Sequence, residues 1–260
     1  MTDLNGISAW LIDMDGVLWR GNTALPGMPE FIARLRELGH RFVLVTNNAG
    51  KTPQQYIAKL AGMGVSISAD EVLTSALGAA AWLSQQHPGA KVHMIGGDGV
   101  REALATYGLE RVETGADYVM VGIDINLTYA KLQAALRELT HGARLISTNP
   151  DVTFPTEDGV NPGNGALVAA LETASGQTAT VIGKPEPTLY QLAMARLGVE
   201  PGRVVALGDR LDTDILGGQR AGVRTALLLT GVTDRATLAA STVQPDMVFD
   251  DLWAVLAALA

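Results

Sequence analysis

Two aspartates two residues apart, Asp13 and Asp15, follow the apolar run Ala9-Trp10-Leu11-Ile12 and are themselves followed by Gly16. Three other apolar runs end in polar residues of complementary kind. Phe42-Val43-Leu44-Val45 ends in Thr46 and Asn47, Thr180-Val181-Ile182 in Gly183 and Lys184, and Val204-Val205-Ala206-Leu207 in Gly208 and Asp209. If these runs are neighbouring strands of an open parallel sheet, the four sets converge on one crevice, because ligands bind outside the carboxyl ends of such strands. Free aspartates have a pKa near ~4, so from type alone the three carboxylates of Asp13, Asp15 and Asp209 are expected to be ionised at neutral pH. Two like charges ~4 Å apart repel by ~4 kcal/mol at an effective dielectric of ~20, so three clustered carboxylates need a cation. A hard, oxygen-only donor set with open positions points to Mg2+. Lys184 adds a second positive charge, and the Thr46 hydroxyl and Asn47 amide add donors; together these groups would receive a phosphate dianion. Along a strand Asp13 and Asp15 would project on one face ~6.6 Å apart. That spacing suits one carboxylate attacking phosphorus while the other protonates the leaving oxygen.

The elements that must position these groups are legible as short apolar runs alternating with helical patterns, the signature of βαβ units and a parallel sheet. One helix is expected at Phe31, Ile32, Leu35 and Leu38, closed by Gly39. A second begins at Thr52, a suitable cap, with Pro53 at its first position and Gln55 completing a capping box. Further on, a helix carries Leu189, Leu192 and Leu197, another runs from about Thr213 to Ala221, residues 225–229 form a buried strand and residues 251–259 a terminal helix. Between these parts, residues 78–178 have strands of their own at 92–95, 118–121 and 144–146, separated by helical patterns near 99–107, 128–140 and 164–174. About a hundred residues is domain-sized. The expected fold is therefore α/β: a Rossmann-like parallel-sheet core from residues 1–77 and 179–260, with an α/β domain inserted at 78–178.

Composition narrows the function classes. The chain has 260 residues, 47% hydrophobic and 18% charged, which is globular rather than disordered. A net charge of −8 without any Lys/Arg run argues against nucleic acid as a partner. No cysteine is present, which excludes disulfides, thiolate metal sites and a cysteine nucleophile. The first residues carry neither a basic region nor a signal-type apolar core, and no run approaches the ~20 apolar residues of a membrane helix. A cytoplasmic protein with no membrane partner is expected.

Asp13-Met14-Asp15-Gly16-Val17-Leu18 resembles the first motif of the haloacid dehalogenase-like phosphatases. Thr46-Asn47-Asn48, Gly183-Lys184-Pro185 and Gly208-Asp209-Arg210-Leu211-Asp212-Thr213-Asp214 are similar to the second, third and fourth, in order along nearly the whole chain. The insert resembles the α/β cap of the branch containing p-nitrophenyl phosphatases, phosphoglycolate phosphatases and NagD-like proteins. Ser147-Thr148-Asn149-Pro150-Asp151, Phe154-Pro155-Thr156-Glu157-Asp158-Gly159 and Pro162-Gly163-Asn164-Gly165 are its matching segments. The resemblance implies an aspartyl-phosphate on Asp13, with Asp15 as general acid and then base. It implies Mg2+ held by the side chains of Asp13 and Asp209 and the backbone carbonyl of Asp15. Thr46, Asn47 and Lys184 would bind the phosphoryl group, the stretch from Arg210 through Asp212 to Thr213 would border the substrate entrance, and Asp214 would brace the ligating residues. Small phosphorylated metabolites are the implied substrates. A homodimer is compatible with the resemblance, since caps of this branch often take part in dimers.

Structural readings stand beside several of these. Acids before or in the first turn of a helix are stabilised by capping and by its dipole, which applies to Asp212 and Asp214. Asn149 and Asp151 read equally as leaving-group contacts or as loop-shaping residues. His40, His87, His93 and His141 lack metal-type spacing, Gly96-Gly97-Asp98-Gly99 reads as a turn of the inserted domain, and Trp10 and Trp19 call for no functional role. A phosphate-binding module without catalysis is the alternative function, but it leaves Asp15 without a task.

Overall fold

The computed structural model describes residues 4–156 and 159–259, so Glu157 and Asp158 of the expected cap segment lie outside the described residues. Strands follow in chain order: β1 (Ala9–Ile12), β2 (Trp19–Arg20), β3 (Thr23–Ala24), β4 (Arg41–Thr46) and β5 (Val72–Thr74). Next come β6 (Lys91–Ile95), β7 (Glu110–Arg111), β8 (Tyr118–Val121), β9 (Arg144–Ser147), β10 (Thr153–Thr156), β11 (Gly159–Pro162) and β12 (Thr180–Val181). The chain closes with β13 (Val204–Gly208), β14 (Arg224–Leu228) and β15 (Met247–Phe249). Two compact units result. The first comprises Met1–Thr46, Gln54–Leu73 and Lys184–Ala260; the second comprises Asn47–Pro53 and Thr74–Gly183.

The first unit is a six-stranded sheet in the order β15-β14-β13-β1-β4-β5. From β15 through β4 every pairing is parallel. All four residues of β1 are buried, as a strand covered on both faces requires. One face packs Trp10, Ile12, Phe31, Leu44 and Leu207 into the main apolar cluster, with Trp10 edge-on to Phe31 at 5.4 Å. The helix Thr188–Leu197 packs on β4 and β1. Each fully buried side chain of this size contributes about 1.5–3 kcal/mol, which is what allows the sheet to carry buried charge at its edge. Because β4 and β13 flank β1, the chain leaves β1 to one side and returns on the other. The end of β1 is therefore the topological switch point, where open α/β sheets bind ligands.

The second unit is a parallel sheet in the order β12-β9-β8-β6-β7, with Val119, Val121, Leu139, Leu145 and Leu171 in its core. Two of its helices start on side-chain caps: the Thr74 hydroxyl accepts from Leu77 N at 3.2 Å and Thr128 from Lys131 N at 3.3 Å. Residues 180–182 were expected to be a strand of the core leading into Lys184. The observed strand β12 instead pairs with β9 at the edge of the second sheet, because its short polar-flanked run finds a free parallel edge there. Residues 47–53 likewise cluster with the second unit rather than with the segments on either side of them. The expected helix from Thr213 begins earlier and differently, as a π-helical turn Leu211–Ile215 that continues into Leu216–Arg220. Among the described residues no helix is long and apolar enough to cross a membrane.

Candidate active site

β1 ends at Ile12, one residue short of Asp13, and this changes the geometry expected from strand alternation. Asp13 and Asp15 lie beyond the end of the strand, just before the turn at residues 16–18, rather than on one face of a strand. Asp13 N donates to Leu207 O at 2.9 Å, which ties it to β13, whereas Asp15 is exposed. Gly16 adopts φ 85°, a left-handed conformation that glycine tolerates. The chain then folds back, with Gly16 N donating to Trp19 O at 2.8 Å.

Lys184 is the centre of the charge network. It is 2% exposed, and its Nζ donates to Asp13 Oδ1 at 2.5 Å, Asp214 Oδ1 at 2.6 Å and Val45 O at 3.2 Å. Asp209, at the end of β13, is equally buried and accepts from Val232 N at 2.7 Å through Oδ2. A Cβ on Gly231 would collide with that carboxylate, and one on Gly16 would come within 2.5 Å of Asp209 Oδ2. Both positions are thus filled by the acid itself. Asp214 reaches back from the π-helical turn to occupy the space a Cβ on Gly208 would take. Its Oδ2 accepts from Arg210 N at 3.1 Å.

Carboxylate oxygens of Asp13, Asp209 and Asp214 all lie within 4.8 Å of one another. One ammonium cannot neutralise three clustered acids, and the directions in which Asp13 and Asp209 shift reflect this. Burial pushes Asp209 up to about 7, with the Asp214 charge adding to the effect and the Val232 N–H opposing it. Burial also holds the Asp13 carboxyl well above the usual range; Lys184 opposes that and the Asp214 and Asp209 charges reinforce it. Burial disfavours the Lys184 ammonium, but the Asp13 and Asp214 carboxylates outweigh it and keep the amine protonated. Excess negative charge on a set of hard oxygen donors is what a divalent cation such as Mg2+ would relieve, so the residues fit one.

The remaining sequence candidates separate. Thr46 is buried at the end of β4 beside Tyr56, whose phenol is pushed up by burial and the Asp15 charge and eased by the Thr46 hydroxyl. Asp212 does not join the acid cluster. Its side chain is 69% exposed and pairs with Arg210, Nε to Oδ1 at 3.1 Å and Nη2 to Oδ2 at 2.8 Å, which lowers its pKa. Thr213 is buried within the turn. Asn47 belongs to the second unit, where its Nδ2 donates to Asp151 Oδ2 at 3.1 Å. Its carbonyl accepts from Ser75 Oγ at 2.5 Å and Asn149 Nδ2 at 2.7 Å. Asn149 and Asp151 therefore shape the loop around Asn47. Asn164 completes this buried network by donating to Ser147 Oγ at 3.0 Å and Asn149 O at 2.8 Å. Trp19, expected to have no functional role, is fully buried and donates its indole N–H to Asp15 Oδ1 at 2.6 Å. A tryptophan four residues beyond an aspartate carries no signal until the intervening turn is known.

A parallel α/β sheet with buried acids and a lysine at its switch point defines a phosphoryl-transfer enzyme of the aspartate-rich kind. The comparisons place it further. Residues 10–110 match the family model of haloacid dehalogenase-like hydrolases, and residues 181–255 match a second, HAD-hydrolase-like model. An acid sugar phosphatase of Staphylococcus epidermidis is 40% identical over 252 residues, 96% of this chain and 97% of that protein. The crystal structure of 4-nitrophenylphosphatase from Thermotoga maritima superposes with a TM-score of 0.95 at 34% identity, covering 99% of both chains. That of glycerol phosphate phosphatase from Mycobacterium tuberculosis, in complex with magnesium, gives 0.90 at 33% identity over 97% of this chain and 77% of that one. The chain belongs to the haloacid dehalogenase-like hydrolases, and within them it is a phosphatase.

Proposed function

We propose that the protein is a Mg2+-dependent phosphomonoesterase that hydrolyses small phosphorylated metabolites through an aspartyl-phosphate on Asp13. The observation that carries this reading is the bridge Asp13–Lys184–Asp214, at 2.5 and 2.6 Å, with Asp209 in the same cluster. Lys184 engages Asp13 Oδ1, which leaves Oδ2 as the attacking atom. As the Asp13 Oδ2–P bond forms, the bond from phosphorus to the leaving oxygen breaks, and Asp15 delivers a proton to that oxygen. Asp15 then removes a proton from water, whose oxygen attacks phosphorus and frees both inorganic phosphate and the Asp13 carboxylate. Lys184 and Thr46 offset and orient the phosphoryl charge, and Asn47 is assigned to the same task. Asp13, Asp209 and the Asp15 carbonyl would hold Mg2+, which when bound supplies charge neutralisation for the transferring group. Asp214, paired with Lys184 and Arg210 N, holds the lysine in place. The second unit is read as the cap that selects the substrate, in keeping with the sugar, glycerol and nitrophenyl phosphates in the relatives' names.

Purified protein assayed with p-nitrophenyl phosphate is expected to turn over in Mg2+ and to lose activity in EDTA and in Asp13→Ala. Full activity of Asp13→Ala would overturn the covalent mechanism. Phosphate binding without turnover in Mg2+ would leave a non-catalytic phosphate-ligand module in its place.

A further inference from the structure

Trp19 has no part in the proposed reaction steps, yet it directs its only side-chain hydrogen-bond donor at the proposed acid. The indole Nε1–H meets Asp15 Oδ1 at 2.6 Å. Asp15 is exposed, and an exposed carboxylate left to itself samples several staggered rotamers. Here its partner is enclosed by packing. Trp19 is 0% exposed and stacks on Tyr56, with centroids 6.2 Å apart and planes 23° from parallel. The Lys59 ammonium lies 4.1 Å from the Trp19 ring centroid and also donates to Gly21 O at 2.8 Å, which ties the ring to the β2–β3 hairpin. The turn at Gly16 sets acid and indole in one closed loop through Gly16 N to Trp19 O.

We propose that Trp19 is the positioning residue for proton transfer by Asp15. Its N–H fixes Oδ1, so Oδ2 is the oxygen that gives a proton to the leaving group and later takes one from water. The assignment rests on the acid–base reading of Asp15 above. Trp19 itself touches neither substrate nor the reacting atoms; it acts through the carboxylate it holds. A misaligned acid matters most when the leaving oxygen needs its proton early, so the effect depends on the leaving group.

The test is Trp19→Phe, which keeps an aromatic ring against Tyr56 and Lys59 and removes the donor together with part of the ring volume; the comparison of two substrates separates the donor from the packing. With phenyl phosphate, kcat/KM is expected to fall roughly 10- to 100-fold, the scale of one hydrogen bond to a charged group. With p-nitrophenyl phosphate, whose phenolate leaves without a proton at neutral pH, kcat/KM should change by less than about threefold. In an Asp15→Asn background, adding Trp19→Phe should cost nothing further with phenyl phosphate. The indole N–H resonance that disappears in Trp19→Phe should also move in Asp15→Asn. Equal losses on both substrates, a loss that persists in the Asp15→Asn background, or an unmoved resonance would each overturn the assignment. If Asp15→Asn alone hydrolyses phenyl phosphate normally, the acid–base reading fails and Trp19 fails with it. If Asp15→Asn is impaired while Trp19→Phe is fully active, only the Trp19 assignment fails.

Discussion

Replacing Lys184 by methionine removes the buried ammonium from the cluster of Asp13, Asp209 and Asp214 while keeping a side chain of similar length. The amine donates to Asp13 and Asp214 at 2.5 and 2.6 Å from a site only 2% exposed. Breaking a buried pair by deleting one partner costs about 3–5 kcal/mol, because the other is left uncompensated. The repulsion thereby uncovered has the same scale. Carboxylates within 4.8 Å of one another, as these are, repel by at least ~3.5 kcal/mol at an effective dielectric of ~20. For a chain of this length about 1 kcal/mol corresponds to ~2 °C, so the metal-free variant should melt ~6–10 °C below the parent at pH 8. The deficit has a definite pH dependence. Without the ammonium, which opposes the effect of burial on Asp13, the Asp13 carboxyl rises further, and a group whose folded pKa exceeds its unfolded value contributes stability at low pH that is lost as pH rises through the folded pKa. Calorimetry in EDTA should therefore find a small deficit near pH 4 and a large one at pH 8. Lys184→Arg, which keeps the charge, should melt with the parent's pH dependence whatever it loses to overpacking. A deficit independent of pH, or none at pH 8, would refute the argument that Lys184 is held by these two acids. Activity should fall ~100- to 1,000-fold in Lys184→Met, the scale of one electrostatic stabiliser of the transferring group.

Asp209→Asn removes an acid whose pKa burial has raised to about 7. In EDTA it should stabilise the protein by a few kcal/mol at pH 8 and by little near pH 4, because the parent loses stability as pH climbs from ~4 through ~7. Calorimetry across that range checks the sign. Mg2+ affinity of the parent, measured by calorimetric titration, should rise over the same window, since the cation displaces the proton that burial retains. Gly16→Ala should lose ~1–2 kcal/mol from its φ of 85° and also weaken Mg2+ binding, because its Cβ would come within 2.5 Å of Asp209 Oδ2. Melting alongside metal titration separates the two effects, and unchanged affinity would contradict the close approach. Asn149→Ala should lower the melting temperature by ~2–6 °C, since it strips the buried side-chain donor to Asn47 O and the acceptor of Asp151 N.

The sheet and the acids at its edge were legible because they rest on local rules. Continuous apolar runs such as Ala9-Trp10-Leu11-Ile12 read as strands buried on both faces, and the residue types at their ends follow from what a phosphate requires. What was not legible depended on non-local pairing. The run at residues 180–181 has the composition of a core strand, and only the free edge at β9 decides that it joins the other sheet. Asp212 and Asp214 share one motif and one charge, yet the π-helical turn sends one outward to Arg210 and the other inward to Lys184. Strand alternation placed Asp13 and Asp15 on one face; because β1 stops at Ile12, the turn and then Trp19 decide where Asp15 points.

The acid cluster runs against the rules that govern the rest of the first unit. Elsewhere the sheet buries mainly apolar side chains, and at its switch point it gathers three carboxylates, two of them fully buried, around the Lys184 ammonium. Glycines at 16, 208 and 231 leave the space those acids fill, so the crowding is built into the backbone and is not an accident of rotamers. A chain selected for stability alone would place apolar groups there, since buried ion pairs gain little over a packed hydrophobic core. The arrangement makes sense if the missing positive charge arrives with the ligands: a cation against Asp13 and Asp209, and a phosphoryl group whose own negative charge then needs Lys184. On that view the raised acids are the measure of how strongly the folded site demands a cation, and the apolar sheet beneath it is what makes that demand sustainable.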